Sequence, residues 1–217
     1  MYLNILKRYN IYFFLVTSTI LLASDEVTNQ KELAIHHFMQ GEFLLNQGNY
    51  ALSVLEFQDA LEIDPNASTI HISIADAYRR LGRAKHAEDH LRIAIDLDPE
   101  DLSSREMLGH LYLINRKYDM AEKEFLVLSN LDASNDNYIT VLGDLAKMQE
   151  RWSKAVDYYL SANKINPQNH KALENALQVC LGAELFDKAE STCLILAESD
   201  RSNSSYWKTY KQITAYN

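Results

Sequence analysis

The sequence predicts an all-α chain, an array of five stacked helical hairpins, on three observations. A 34-residue pattern recurs five times without gaps from Ala34 to about Asn203. Each period holds two stretches of helical spacing around a short turn, and three of the five periods close on a proline. A period of this length marks supersecondary units that bury their apolar faces on one another rather than around one globular core.

Written as rows, the repeats span 34–67, 68–101, 102–135, 136–169 and 170–203. Residues 1–24 read as a signal peptide or N-terminal anchor, 25–33 as a linker, and 204–217 as a C-terminal capping helix. Column eight of the rows holds Gly41, Ala75, Gly109, Gly143 and Leu177, and column twenty Ser53, Ala87, Ala121, Ala155 and Ala189. Column seventeen holds Tyr50, Ala84, Tyr118, Trp152 and Phe186, and column twenty-four Phe57, Leu91, Phe125, Tyr159 and Cys193. In row two, Ile74, Ala75, Tyr78 and Leu81 recur at three- and four-residue steps, as do Ala84, Ala87, Leu91 and Ala94. Leu81-Gly82-Arg83 breaks the helix between them. Small residues in columns eight and twenty let two helices approach, and large ones in seventeen and twenty-four fill the space beside that contact. The tyrosines in packing columns, Tyr50, Tyr78, Tyr112, Tyr118 and Tyr159, are expected to be core.

Asp64-Pro65, Asp98-Pro99 and Asn166-Pro167 end rows one, two and four, because proline neither continues a helix nor lets the preceding residue stay helical. Rows three and five carry Asp132-Ala133 and Asp200-Arg201, so their helices are expected to end less sharply. Beyond row five, Ser204 or Ser205 can cap a further helix with Trp207, Tyr210 and Ile213 on one face.

This combination of length, small residues, aromatics and terminal proline resembles the tetratricopeptide repeat family over about 170 of the 217 residues. Row two, through Tyr78, Gly82, Ala87, Leu91, Ala94 and Pro99, is the cleanest copy; row five, with Leu177, Cys180 and Cys193, is the most divergent. The resemblance implies a right-handed α-solenoid whose groove is lined by the first helix of each hairpin. It assigns to that groove Ile35, Phe38, Met39, Glu42, Leu45, Ile72, Asp76, Met107, His110, Leu113 and Ile114, an apolar, methionine-containing strip with a few charges. Such a strip suits an amphipathic helix or extended peptide of a partner protein, unless residues 25–33 or a neighbouring molecule cover it. The charged clamp by which some members hold a C-terminal carboxylate is missing. Its positions are occupied by Phe38, Glu42, Ser73, Ser103 and Met107 in one register and by Ile72, Asp76, Met107, Asn137 and Val141 in the next.

A formal charge of −9, a pI near 5.2 and dispersed basic residues supply no basic footprint for nucleic acid. Cys180 and Cys193 lie at unequal distances from the row-five turn, so they read as buried small hydrophobes. No catalytic motif stands out, and no cofactor or metal is expected. His86 and His90, at i and i+4, are the nearest approach to a metal pair, but their columns are expected to face outward; His36-His37 is weaker.

Lys7 and Arg8 precede an uncharged run from Ile11 to Ala23, and Asp25 and Glu26 restore charge, the layout of an export signal. The run is 13 residues, or 16 with Tyr9, Asn10 and Ser24, against about 20 for a spanning helix. Cleavage after Ala23 or Ser24, anchoring by residues 9–24, and an apolar cap on the first repeat all remain open. Leu21-Leu22-Ala23-Ser24 lacks the cysteine of a lipoprotein signal. The reading is a non-catalytic adaptor or scaffold, exported to a bacterial periplasm for envelope assembly or secretion, with a protein or peptide partner. The alternatives are a self-assembling structural protein, or a cytosolic chaperone if the N-terminal segment is not an export signal.

Overall fold

The computed structural model describes residues 28–216, all in helices and the turns that join them. The expectations for residues 1–24 therefore lie outside the described residues. Hairpin one pairs α1 (28–46) with α2 (Tyr50–Ile63), and hairpin two pairs α3 (Ser68–Arg80) with α4 (Ala84–Leu97). Hairpin three is α5 (Leu102–Ile114) and α6 (Tyr118–Leu131), and hairpin four α7 (Asp136–Met148) and α8 (Trp152–Ile165). Hairpin five is α9 (His170–Gly182) and α10 (Phe186–Ser199), followed by α11 (Ser204–Tyr216). The chain forms two compact units, one ending at Pro99 and one beginning at Glu100. Within each unit, the second helix of one hairpin packs on the first helix of the next, and α11 packs on α10 in the same way.

Residues 28–33, read from sequence as linker, continue α1. Lys31, Glu32, Leu33 and Ala34 are good helix formers with no Gly or Pro among them, so nothing stops the helix upstream of the repeat.

Inside a hairpin, columns eight and twenty-four are in close contact. A Cβ on Gly41 would sit 2.5 Å from Phe57, one on Gly109 2.8 Å from Phe125, and one on Gly143 2.6 Å from Tyr159. The aromatic ring thus lies against the glycine backbone, not beside it. Where column eight is Ala75 the opposing residue shrinks to Leu91, and where it is Leu177 the opposing residue is Cys193. The divergence of row five is therefore an exchange of volume between the two helices. Phe57, Leu91, Phe125, Tyr159 and Cys193 are all buried. Burial raises the pKa of both Cys180 and Cys193 above the ordinary thiol value. Among the packing tyrosines, Tyr78, Tyr112 and Tyr159 are buried, whereas Tyr50 and Tyr118 are only half-buried. The Tyr50 ring instead takes the Arg80 guanidinium at 5.6 Å.

Every second helix ends at the same column, including α6 and α10, which were expected to end less sharply. Asp132 accepts from the Ser134 amide at 3.2 Å and from its hydroxyl, and Asp200 does the same with Ser202. These side-chain turns stop the helix in the rows that lack proline. The first helices α5, α7 and α9 are capped by Asp101, which accepts from the Ser103 and Ser104 amides, and by Asn135 and Asn169. The α11 cap is Asn203, which accepts from the Ser205 amide at 3.1 Å, rather than a serine of the helix itself. Ile213 is buried against Ala189 and Cys193 in the cluster under hairpin five.

The turn within each hairpin passes through the left-handed region at column fifteen. Gly48 and Gly82 take it at φ 83° and 71°, but Arg116, Glu150 and Glu184 take it at 57°, 58° and 56°. A side chain there costs roughly 1–2 kcal/mol.

Three outcomes are expected. Gly109→Ala destabilises the fold by about 1–3 kcal/mol. Combining it with Phe125→Leu, which recreates the Ala75–Leu91 pairing, gives a loss smaller than the sum of the two single losses in urea unfolding. Glu150→Gly raises stability by about 0.5 kcal/mol, the left-handed strain exceeding the added entropy of the unfolded chain. A lower urea midpoint for this variant would contradict that account.

Candidate functional site

The first unit carries seven of the residues assigned to the groove, all on the first helices α1 and α3. Ile35 and Met39, one turn apart on α1, are 58% and 65% exposed. Phe38 is half-buried, its ring 5.8 Å from Phe57, so it is as much a wall of hairpin one as a contact surface. Leu45 is only 7% exposed and belongs to the core, a correction to its assignment as a groove residue. Its apolar side chain, the last on α1 before the Gly48 turn, is covered by the surrounding helices rather than open to a groove. Glu42 accepts a hydrogen bond from the Ser73 hydroxyl, which ties hairpin one to hairpin two. Asp76 is half-buried and accepts from Arg79 and from Arg80, so its charge is neutralised on its own helix. Ile72 is half-buried beside it.

A cleft of about 460 Å³ opens beside Ile35 and Phe38, walled by Ala34, Ile63, Ala67 and Ile70 and edged by Lys31. Residues 28–33 lie on the same helix as Ile35 and do not fold back over it. Lys31 was hidden from the sequence reading because it was placed in a linker. Phe43 was missed as well. Its column is buried in the other rows, at Ala77, Leu111, Leu145 and Val179, yet Phe43 is 57% exposed. With Ile35 and Met39 it forms a stripe at four-residue steps along α1.

The second unit carries Met107, His110, Leu113 and Ile114 on α5. Ile114 is 69% exposed, and Met107 and Leu113 are half-buried. His110 is exposed with its ring edge-on to Phe125 at 5.3 Å, and its Nε2 lies 3.7 Å from Glu106. The eleven assigned residues are thus distributed over two units, seven on one and four on the other. A second cleft, about 610 Å³, lies in this unit at the turns of hairpins three and four, with Arg116, Lys117 and Arg151 in its wall.

Columns four and twenty-three hold a polar pair across the first three hairpins. His37 Nδ1 lies 2.8 Å from Glu56, His71 Nδ1 3.0 Å from His90 Nδ1, and Arg105 3.3 Å from Glu124. In hairpins four and five the same columns hold Ile139 with Tyr158 and Leu173 with Thr192. Sequence spacing did not reveal this pairing, because it joins helices nineteen residues apart. It also corrects the outward reading of His90, whose ring stacks on Tyr78 at 5.7 Å while His86 lies 5.0 Å from the same tyrosine. His71 is buried and its Nε2 approaches the Pro65 carbonyl at 3.4 Å. Burial lowers the His71 pKa; burial, and then the charge of His71, push His90 down to about 4. Asp89 opposes that shift and His86 adds to it. This pair is neutral near pH 7 and has no nearby carboxylate strong enough to hold it charged.

Residues 36–67 and 72–135 match sequence models described as tetratricopeptide repeat. A similar curated protein is Superkiller protein 3 of Schizosaccharomyces pombe, 28% identical over 160 residues, which are 73% of this chain and 11% of that protein. The chain therefore spans about a tenth of that relative. Among solved structures, it is similar to MamA at a TM-score of 0.67 and 18% identity, covering 81% of this chain and 96% of that one. It is also similar to YrrB, described as a tetratricopeptide repeat protein with an unusual peptide-binding site, at a TM-score of 0.63 and 17% identity, covering 87% and 97%. At these identities the structural likeness establishes the fold. Among the described residues, no helix is long and apolar enough to cross a membrane.

The histidine pair predicts acid sensitivity. A histidine whose folded pKa lies below the unfolded 6.5 stabilises the fold above that pH, and the contribution is lost as pH falls toward 4. Between pH 7.5 and 4.5, His90→Gln should reduce the fall in urea stability by about 2 kcal/mol relative to the unaltered chain. An identical pH dependence in the two proteins would remove the pair from this role.

Proposed function

We propose that this chain, which belongs to the tetratricopeptide repeat family, is a non-catalytic adaptor that holds an apolar segment of a partner protein on the first-helix surface of its repeats. The observation that carries this reading is the α1 stripe. Column two is Thr69, Ser103, Asn137 and Lys171 in rows two to five, but Ile35 in row one. With Met39 beside it and the Phe38 cleft alongside, an exposed apolar surface stands where the repeat normally places polar residues. Surfaces of this kind mark interaction sites, and methionine adapts to varied ligands. An amphipathic helix would set apolar side chains at i, i+3 and i+4 along the stripe; an extended peptide would set alternate ones. YrrB, of similar fold, is described by its peptide-binding site, which supports peptide capture as the mode here.

Export to a periplasm is part of the proposal and rests on Lys7, Arg8 and the uncharged run from Ile11 to Ala23. Envelope assembly or secretion is the setting that follows from it. Self-assembly is the competing reading, and the half-buried Trp207 and edge-on Tyr210 of α11 are its only support.

The test is affinity capture from the cell fraction in which the protein resides. Because Ile35 and Met39 are exposed, Ile35→Glu with Met39→Glu leaves urea stability within about 0.5 kcal/mol. The double variant should lose at least about tenfold of the captured partner, as expected when 1.4 kcal/mol or more of binding is removed. Phe38 is left untouched, since a charge against Phe57 would unfold hairpin one. Equal capture by the variant sinks the proposed surface. An intact mass lacking 23 or 24 N-terminal residues in an exported fraction supports export. Full-length soluble cytosolic protein moves the reading to a chaperone.

A further inference from the structure

The His37–Glu56 pair has a third member that the other polar pairs lack. Asp59, one turn beyond Glu56 on α2, places Oδ2 3.9 Å from His37 Nδ1, and one ligand atom from each residue falls within 4.8 Å of the others. The pair itself is explained by the fold, since columns four and twenty-three are bridged in three hairpins. Asp59 is not. Its column holds Ile93, Val127, Ser161 and Ile195 in the other rows. It adds a second carboxylate at i+3 from Glu56, an arrangement that is unfavourable unless a positive charge lies between the two. The ion pairs of these two carboxylates among the described residues are with His37 alone, which can offset at most one of the two charges.

The spacing suits a bound ion. Two ligand atoms about 2.1 Å from a tetrahedral Zn²⁺ stand about 3.4 Å apart. The observed 2.8 Å and 3.9 Å from His37 Nδ1 to the two carboxylates bracket that separation, and the two carboxylates lie within 4.8 Å of each other. The site is also held in place. His37 lies one turn before Gly41 and Glu56 directly precedes Phe57, so the ligands flank the close Gly41–Phe57 contact between α1 and α2. His37 and Glu56 are about a quarter exposed and Asp59 just over half, which leaves one side open for water or a partner's ligand.

From this geometry we propose that His37, Glu56 and Asp59 form a binding site for one divalent first-row transition-metal ion, with Zn²⁺ as its representative. One imidazole nitrogen and two carboxylate oxygens make a mixed donor set that suits Zn²⁺ better than the all-oxygen cations Ca²⁺ and Mg²⁺. Three protein ligands leave a coordination position free. The site lies on hairpin one, which also bears the Ile35–Met39 stripe, but its existence does not depend on the peptide reading.

The experiment uses the full chain stripped with EDTA and dialysed, then titrated with Zn²⁺ against a chromophoric competing chelator. One equivalent should bind per chain. Altering an outer-sphere partner of a metal ligand already costs about 10–100-fold in affinity. Asp59→Asn, which removes a ligand from an exposed position and leaves the helical circular dichroism unchanged, should therefore weaken binding at least about tenfold. Zn²⁺ should raise the melting temperature of the unaltered protein and not that of Asp59→Asn. His86→Ala, which removes the alternative i, i+4 histidine pair, should bind as the unaltered chain does. Absence of binding at millimolar Zn²⁺, unaltered affinity in Asp59→Asn, or loss of binding in His86→Ala would each overturn the assignment.

Discussion

Close approach of the two helices in each hairpin, at column eight against column twenty-four, is the constraint from which the rest of the structure follows. A ring pressed on a glycine backbone in hairpins one, three and four sets how near and at what register the helices lie. Near-crystalline packing density leaves no room for a Cβ at these points. Ala75 with Leu91 and Leu177 with Cys193 meet the same constraint with the volume redistributed. Once the register is set, columns four and twenty-three necessarily face each other. That facing creates the His37–Glu56, His71–His90 and Arg105–Glu124 pairs.

A strict repeat makes its exceptions informative. Positions that serve packing are mostly filled alike or by compensating volumes, as at Leu177 and Cys193, so an exposed residue that departs from its column without such compensation stands out. Ile35 in a polar column, Phe43 exposed in a buried one, and Asp59 in a mostly apolar one all fall on hairpin one. Hairpins are also joined by polar pairs, Ser73 with Glu42 in the first unit and Lys154 with Glu122, Lys188 with Asp157 and Asn169 with Asp136 in the second. Exposed pairs of this type contribute little stability individually, and their value is in orienting one hairpin on the next.

Turn chemistry shows how one backbone geometry is reached by different side chains. Proline at Pro65, Pro99 and Pro167 and the aspartate–serine bridges at Asp132 and Asp200 terminate helices at the same column. Glycine and non-glycine residues likewise share the left-handed turn position. The repeat selects a conformation and tolerates several residues in it, at a modest energetic cost where the residue is unsuited.

The sequence by itself determined the helix content, the hairpin register and the turn positions, whereas the pairing of column eight with the large residue of column twenty-four came from the structure. The former arise from local spacing, and 34-residue periodicity repeats the same local signal five times. It also placed Ile35 and Met39 on a shared face. Only the tertiary structure decided which periodic positions are covered. Leu45 and Ile35 look equally apolar in the sequence, but one is buried and the other faces solvent. His90 looked outward by column, yet meets His71 across the hairpin. The joining of His37, Glu56 and Asp59 was equally illegible, because side chains nineteen and twenty-two residues apart become neighbours only when two helices are packed. Burial and cross-helix contact depend on how far one helix is rotated against the next, and that rotation is set by packing over the whole hairpin, not by any local run of residues.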